Sequence, residues 1–320
     1  MIVPEFWAEA KKTGKINGRT ITIKRFGWSD TDQQSAQLLA DERVELALAD
    51  LRAGKKINPR EIKRAYNGAD GVPIREEIIS REGDAVITRN AYGARCLNVP
   101  DVLFGDIDVE TGLSIKFHLS IFFTLLVTAL VIIFFRNGHL SSLLLLALTP
   151  IICFIVNKIR SLFSLSEKNA LTKIENFAKK NPAWNLQIYK TPMGFRILVL
   201  HKTFQARSEE VTDFFNALGV DRLYQRMCFN QNCFRARISA KPWRIGIKEH
   251  LRPRPGIWPV SADKLPVREA WVNAYEETAK DFAACRFLHQ SGSTDVDPKA
   301  QIIKQLHDHH CRADTQLPLA

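Results

Sequence analysis

Two aspartates at alternate positions close an apolar run, Val102-Leu103-Phe104-Gly105-Asp106-Ile107-Asp108. On a β-strand alternate side chains share a face, so Asp106 and Asp108 point the same way. Carboxylates placed like this can share a hard divalent cation. Mg²⁺ suits them best, because it favours oxygen ligands and accompanies phosphates. Gly105, between them, lets a ligand come close. The plainer alternative is a strand that simply ends in two acids. A second segment, Thr191-Pro192-Met193-Gly194-Phe195-Arg196, reads as a glycine-containing turn that sets Arg196 at the start of a strand. Arginine there can clamp a phosphate through two parallel N–H donors, or stand exposed on an ordinary hairpin.

Between Arg222 and Arg254 the cations Arg222, Arg226, Arg235, Arg237, Lys241, Arg244, Lys248, Arg252 and Arg254 face only Glu249, with Phe229, Phe234, Trp243 and, just beyond, Trp258 as aromatic neighbours. Arg235 and Arg237 share one strand face. Basic side chains beside aromatics suit phosphates and stacked bases, and they equally suit lipid headgroups at a bilayer surface. The expected phosphate-binding set is Arg196, Arg235, Arg237, Lys241 and Arg244. Cys228, Cys233, Cys285 and His289 could form a zinc site, although the spacing is loose. The His307, His309, His310, Cys311 cluster is expected to be incidental in a polar tail. No nucleophile elbow, Walker loop or dinucleotide fingerprint is present, and the sequence assigns no catalytic residue.

Two stretches, RNAYGARCLNVPDVLFGDID (89–108) and CFRARISAKPWRIG (233–246), resemble an uncharacterised family of bacterial membrane proteins. More distantly, the layout resembles the archaeo-eukaryotic primase superfamily, which includes the primase-polymerases. That resemblance implies an acidic-x-acidic strand, matched by Asp106 and Asp108. It implies a later small-x-histidine turn, where Arg196 stands in place of the histidine. It also implies a third acid, for which Asp221 is the candidate, and a following basic strand like FRARISAKPWR. The implied activity is nucleotidyl transfer with degenerate catalytic motifs.

The elements that must position these residues are legible in part. A short opening helix, a strand over 19–26, a helix over 31–51 stopped by Gly54 and an exposed loop over 55–75 are expected. Strands over 85–89, 94–97 and 102–108 follow. After residue 160 come a helix to Lys180, strands over 185–190 and 195–201, a helix over 209–218 and a strand within 233–239. One last helix is expected over 265–289, then a polar, frayed tail over 291–320. The pattern predicts one α+β domain, 1–115 and 161–290, interrupted by a membrane hairpin over 116–160.

That hairpin is the strongest signal in the chain. Residues 117–135 (FHLSIFFTLLVTALVIIFF) and 140–156 (LSSLLLLALTPIICFIV) are both free of Asp, Glu, Lys and Arg. Each approaches the length needed to cross about 30 Å of hydrocarbon. Pro150 is expected to kink the second span. Lys116, Lys158, Arg160 and Lys168 flank the outer ends, against Arg136 and His139 in the turn, so the positive-inside rule places both termini in the cytoplasm. The opening residues show no basic leader followed by an apolar core, and the six cysteines have no disulfide-framework density.

The formal net charge is +11 with 25% charged residues, which favours anionic partners. Two functions fit. One is a membrane-anchored domain that handles phosphate-bearing ligands, a nucleotide or single-stranded nucleic acid. The other is a non-enzymatic membrane protein whose basic face docks on anionic lipid or a protein partner.

Overall fold

The computed structural model describes residues 3–16, 18–61, 72–109, 115–135, 140–162, 165–254, 256 and 258–320. The chain opens with a hairpin of two strands, β1 (Phe6–Ile16) and β2 (Arg19–Ser29), paired from Phe6↔Ser29 to Ile16↔Arg19. The expected opening helix is therefore a strand. Ala, Glu and Lys in FWAEAKKTGKI favour helix locally, but eleven residues of cross-strand pairing override that preference. Helix α1 (Gln33–Arg52) lies on the hairpin, capped by Asp32, whose carboxylate accepts from the Ser35 N–H at 2.6 Å. Its small residues Ala36, Ala40 and Ala47, with Val44 and Leu48, close over Ile23. The approach is tight enough that a Cβ on Gly27 would lie 2.1 Å from the Ala36 carbonyl oxygen.

The main body holds two four-stranded antiparallel sheets. Their strands are β3 (Glu77–Glu82), β4 (Ala85–Arg89), β5 (Arg95–Val99) and β6 (Phe104–Asp108) before the apolar segment. The apolar segment contains helix α2 (Ile115–Phe135), a 3₁₀ stretch Leu140–Ala147 and helix α3 (Leu148–Leu162). Then follow α4 (Leu165–Lys180), β7 (Asn185–Thr191), β8 (Gly194–Val199), α5 (Glu209–Leu218), α6 (Arg222–Gln231), β9 (Phe234–Arg237), α7 (Leu265–Ala279), β10 (Arg286–Gly292) and α8 (Pro298–Cys311). Strand order is β10-β7-β8-β6 in one sheet and β3-β4-β5-β9 in the other. Each sheet thus combines strands from before and after the apolar segment, and one hydrophobic core takes residues from both parts.

On the first sheet, Gly105 and Ile107 face α5, where a Cβ on Gly105 would meet the Phe214 ring at 3.0 Å. The opposite face carries a row across all four strands: Phe287, Tyr189, Arg196 and Asp106 in register. Helix α8 covers this row, with the His307 ring 4.9 Å from Tyr189 and 5.4 Å from Phe104.

Two expectations for the C-terminal part are corrected. The helix predicted over 265–289 ends at Ala279, and 286–292 pair as a strand with β7. Residues 291–320 are not a frayed polar tail, because α8 buries Ala300, Ile303, His307 and Cys311. Its start was readable: Asp297 caps the N–H groups of Lys299 and Ala300, and Pro298 occupies the first turn.

Among the described residues one helix is long and apolar enough to cross a membrane: α2, whose window Phe117–Phe134 has mean hydropathy 2.5 and is almost wholly exposed. The second expected span, 140–156, is not one helix. It divides into the 3₁₀ stretch and α3, which runs on past Val156 to Leu162. Pro150 explains the division. A proline has no N–H to give, so it sits in the first turn of α3, where backbone N–H groups lack helical partners anyway. It does not kink a continuous span. The turn 136–139, including Arg136 and His139, lies outside the described residues.

Candidate anion site where the two sheets meet

Strands β6 and β9 are edges of their sheets, and they are brought together by Tyr224 of α6. Its hydroxyl donates to the Phe104 carbonyl at 3.2 Å and accepts from the Arg235 N–H at 3.3 Å. Arg196 of β8 adds a second tie, donating from Nη1 to the Arg237 carbonyl at 2.8 Å.

Arg196 does not stand exposed on a hairpin. It is 2% exposed and forks onto the carboxylate directly across from it, Nε to Asp106 Oδ1 at 2.7 Å and Nη2 to Oδ2 at 3.1 Å. Burial alone would raise Asp106, but the adjacent guanidinium overrides it, and the carboxyl is held below its ordinary range. Burial works to lower Arg196, but the charge and hydrogen bonds of Asp106, with Cys285 and Cys311, together raise it well above its ordinary value. The two charges cancel locally.

Asp108, at the open end of β6, has no such partner. Burial and the charges of Asp106 and Asp221 push it up, against Lys241 and Arg244. Lys241 is in turn lowered by burial and by its neighbours Arg237 and Arg244, with Asp108 and Asp106 opposing. Arg244 is lowered by burial and by Arg237. Asp106, Asp108, Arg237, Lys241 and Arg244 therefore lie within one another's electrostatic reach. Once Asp106 and Arg196 cancel, Arg237, Lys241 and Arg244 stand against the two carboxylates of Asp108 and Asp221. The excess is positive. Each oxygen of Asp106 keeps a lone pair beyond its bond to Arg196, so Mg²⁺ could still be held with Asp108. The surrounding cations oppose a bare metal and favour one that arrives with phosphate.

Arg235 lies elsewhere. It is buried in a pair with Glu76, donating from Nη2 to both carboxylate oxygens at 2.8 and 2.7 Å, and from Nη1 to Asn98 at 2.8 Å. Arg196 and Arg235, expected to hold phosphate, are thus both engaged inside the protein; Arg237, part-buried, donates from Nη1 to the Ser239 and Ala320 carbonyls, and Lys241 and Arg244 remain beside Asp108. Phe234 is wholly buried and offers no stacking face, whereas Trp243 is 57% exposed. Trp243 lies edge-on to Tyr92 at 5.2 Å, with the Lys241 ammonium 5.4 Å from its ring. Tyr92 carried no sequence signal; only the fold brings it here. Asp221, the third-acid candidate, caps α6 by accepting from the Leu223 and Tyr224 N–H groups at 2.9 Å.

The set Cys228, Cys233, Cys285 and His289 is not brought together. Exposed His289 bonds Glu175 at 2.7 Å, and Cys285 groups instead with His307 and Cys311. Spacing could have shown half of this, because residues four apart on a helix share a face and His307 and Cys311 are so placed.

No family model, curated protein or solved structure matches this chain.

Proposed function

We propose that this protein is a membrane-anchored domain that binds phosphate-bearing ligands, of nucleotide or single-stranded nucleic-acid type, at the junction of β6 and β9. The observation that carries it is the group Arg237, Lys241 and Arg244 around Asp108, with the exposed indole of Trp243 beside it. Lys241 and Arg244 are both depressed, by burial and by nearby Arg237, so an anion would stabilise their charged forms, and a neighbouring ring adds a stacking face. In the primase-like form of this proposal, Asp106 and Asp108 hold Mg²⁺ against the phosphates. Arg196 takes the histidine position as a clamp on Asp106, the degenerate feature of the motif.

Membrane anchoring is supported by α2 and by the sheets. Strands β6 and β8 pair across the apolar segment, as do β5 and β9, so the chain must return to the side it left. If α2 crosses the bilayer, 140–162 crosses back. As 3₁₀ then α-helix, those residues extend about 38 Å, enough for the return. By the positive-inside rule, Lys116, Lys158 and Arg160 at the outer ends of the segment favour a cytoplasmic side for the sheets.

A second reading, lipid phosphate as the ligand, is favoured by one observation. Eight residues separate Asp108 from Phe117, a reach of at most about 30 Å, so the site lies close to the bilayer. The test uses the full chain in neutral-lipid nanodiscs. A fluorescent ATP analogue and a labelled oligothymidylate are titrated with Mg²⁺, beside flotation with anionic liposomes. Binding should fall at least tenfold in Lys241→Ala/Arg244→Ala. It should fall by about 1–3 kcal/mol for the oligonucleotide in Trp243→Ala. Liposome binding that depends on Lys241 and Arg244 without any nucleotide binding would replace the nucleotide by lipid. No binding of either would overturn the site.

A further inference from the structure

A second cluster lies on the far side of Arg196 from Asp106. Cys285, His307 and Cys311 are fully buried, and their sulfur and nitrogen atoms all lie within 4.8 Å of one another. Two of the three come from one face of α8 at i and i+4. The third stands at the entry to β10, held there by a hydrogen bond from the Ala284 N–H to the Cys311 carbonyl at 3.0 Å. Burial alone would not single these thiols out, because every cysteine in the chain is buried. What distinguishes them is an oriented imidazole. Nδ1 of His307 faces Asp308 Oδ1 at 2.8 Å, which makes Nδ1 the protonated nitrogen and turns the Nε2 lone pair inward, 3.8 Å from the Cys285 sulfur. A carboxylate behind a histidine is the usual outer support of a metal-ligating imidazole.

We propose that Cys285, His307 and Cys311 form a binding site for a thiolate-preferring transition metal ion, with zinc the expected occupant. The proposal does not depend on the anion site. Two sulfurs and one imidazole nitrogen are a soft donor set, poorly suited to Mg²⁺ or Ca²⁺. Around zinc, with bonds of about 2.0–2.3 Å, tetrahedral ligand atoms stand roughly 3.4–3.8 Å apart, so the site needs only a small closure. Binding Zn²⁺ releases one proton from each thiol, and two thiolates balance the ion. The buried pair Arg196–Asp106 is already neutral, so the loaded site adds no net charge to the interior.

Arg196 is the group that must adjust. Its Nη1 lies 3.2 Å from His307 Nε2 and 4.0 Å from the Cys311 sulfur. Metal would take the Nε2 lone pair, leaving Nη1 its bond to the Arg237 carbonyl and the fork on Asp106 intact. No fourth protein ligand joins the group among the described residues, so a water or small anion completes the coordination.

The test begins with the wild-type full chain, purified in detergent from zinc-supplemented cells and analysed for metal by mass spectrometry. About one zinc per chain is expected. Exchange with Co²⁺ should give the intense near-ultraviolet absorption of thiolate-to-cobalt charge transfer. Cys285→Ser and Cys311→Ser should each weaken that absorption and reduce bound metal at least tenfold, while Cys228→Ser and His289→Gln keep both. Any variant that loses its cooperative melt is replaced by His307→Gln. Wild-type protein free of zinc and without cobalt absorption would overturn the site. So would a Cys285–Cys311 disulfide found by peptide mapping, or cobalt absorption that survives both serine substitutions.

Discussion

Asp106 gives both oxygens to the Arg196 fork at 2.7 and 3.1 Å, while Asp108, two positions on, meets Lys241 and Arg244 at the open end of the same strand. The sequence placed both on one face but could not tell these roles apart, since the difference lies in what β8 and the segment after β9 bring to them. Stability should separate them. The carboxyl of Asp106 is depressed in the fold, so its contribution is full above the ordinary aspartate value and is lost as pH falls through the lower folded value. Asp106→Asn at neutral pH leaves a buried guanidinium without its counter-charge and should cost about 3 kcal/mol. That is the low end for breaking a buried pair, because the Asp106 side chain is 40% exposed to screening water. Asp108 is raised instead, so its ionised form weighs against the fold above its folded value and not below the ordinary one. Asp108→Asn should leave unfolding at pH 7 unchanged or slightly harder. Denaturant melts of both variants of the full chain decide it, and equal destabilisation would refute the division of roles. Arg235 shows the limit of reading residues by type. Its pairing with Glu76 joins positions 159 apart in the chain, and no local pattern announces it.

Elements whose own sequence decides them were legible. The strands expected over 85–89 and 185–190, and the helices ending at Lys180 and Leu218, follow from short strand-like runs between turn residues, caps and a glycine stop. Those decided by a distant partner were not. β1 needs β2, and β10 takes the end of what reads as one long helix because β7 offers it an edge. α8 was missed for another reason: its apolar positions are few, and its buried face includes His307 and Asp308. The consequence is testable. If 291–320 were a frayed tail, a chain ending at Ser293 would melt like the whole. In the fold, that truncation strips Ile303 and Cys311 from the core and uncovers Phe104, Tyr189 and Arg196. At about 1.5–3 kcal/mol for each large apolar side chain, the loss is comparable to the whole stability of an ordinary domain. The truncated chain should show no cooperative transition and rapid proteolysis. A second test concerns the turn ahead of Arg196. A Cβ on Gly194 would lie 2.0 Å from the Ile107 carbonyl oxygen, so Gly194→Ala must push β8 away from β6. It should cost at least about 2 kcal/mol in the same melts and weaken ligand binding by displacing Asp108.

At the scale of the whole molecule, the apolar segment and the α+β body are separable in one direction only. The principal core draws residues from Val3 to Val109 and from Ile174 to Ala313, and among the described residues none from 115–162. The described part of the segment therefore adds nothing to that core, which leaves attachment as the role proposed for it. The two flanks of the segment do need each other, because β6 has no sheet without β8 and β9 has none without β5. Cutting the chain at the segment should leave two insoluble halves. Replacing residues 113–163 by a flexible glycine-serine linker should instead give a soluble chain that melts cooperatively and keeps the pairing of Asp106 with Arg196. The linker needs only to span from the end of β6 to the start of α4. Loop-closure entropy rises slowly with length, about 0.6 kcal/mol per doubling, so its exact length matters little. Phosphate-ligand binding should survive in this soluble form if the ligand is a nucleotide, since Lys241, Trp243 and Arg244 are untouched. In the membrane-bound chain, tags at the N- and C-terminal ends should both be reached from the cytoplasmic side, and a tag within 136–139 from the other. Tags at the two ends on opposite sides of the bilayer would mean that β5 cannot meet β9, and the two sheets as described could not form.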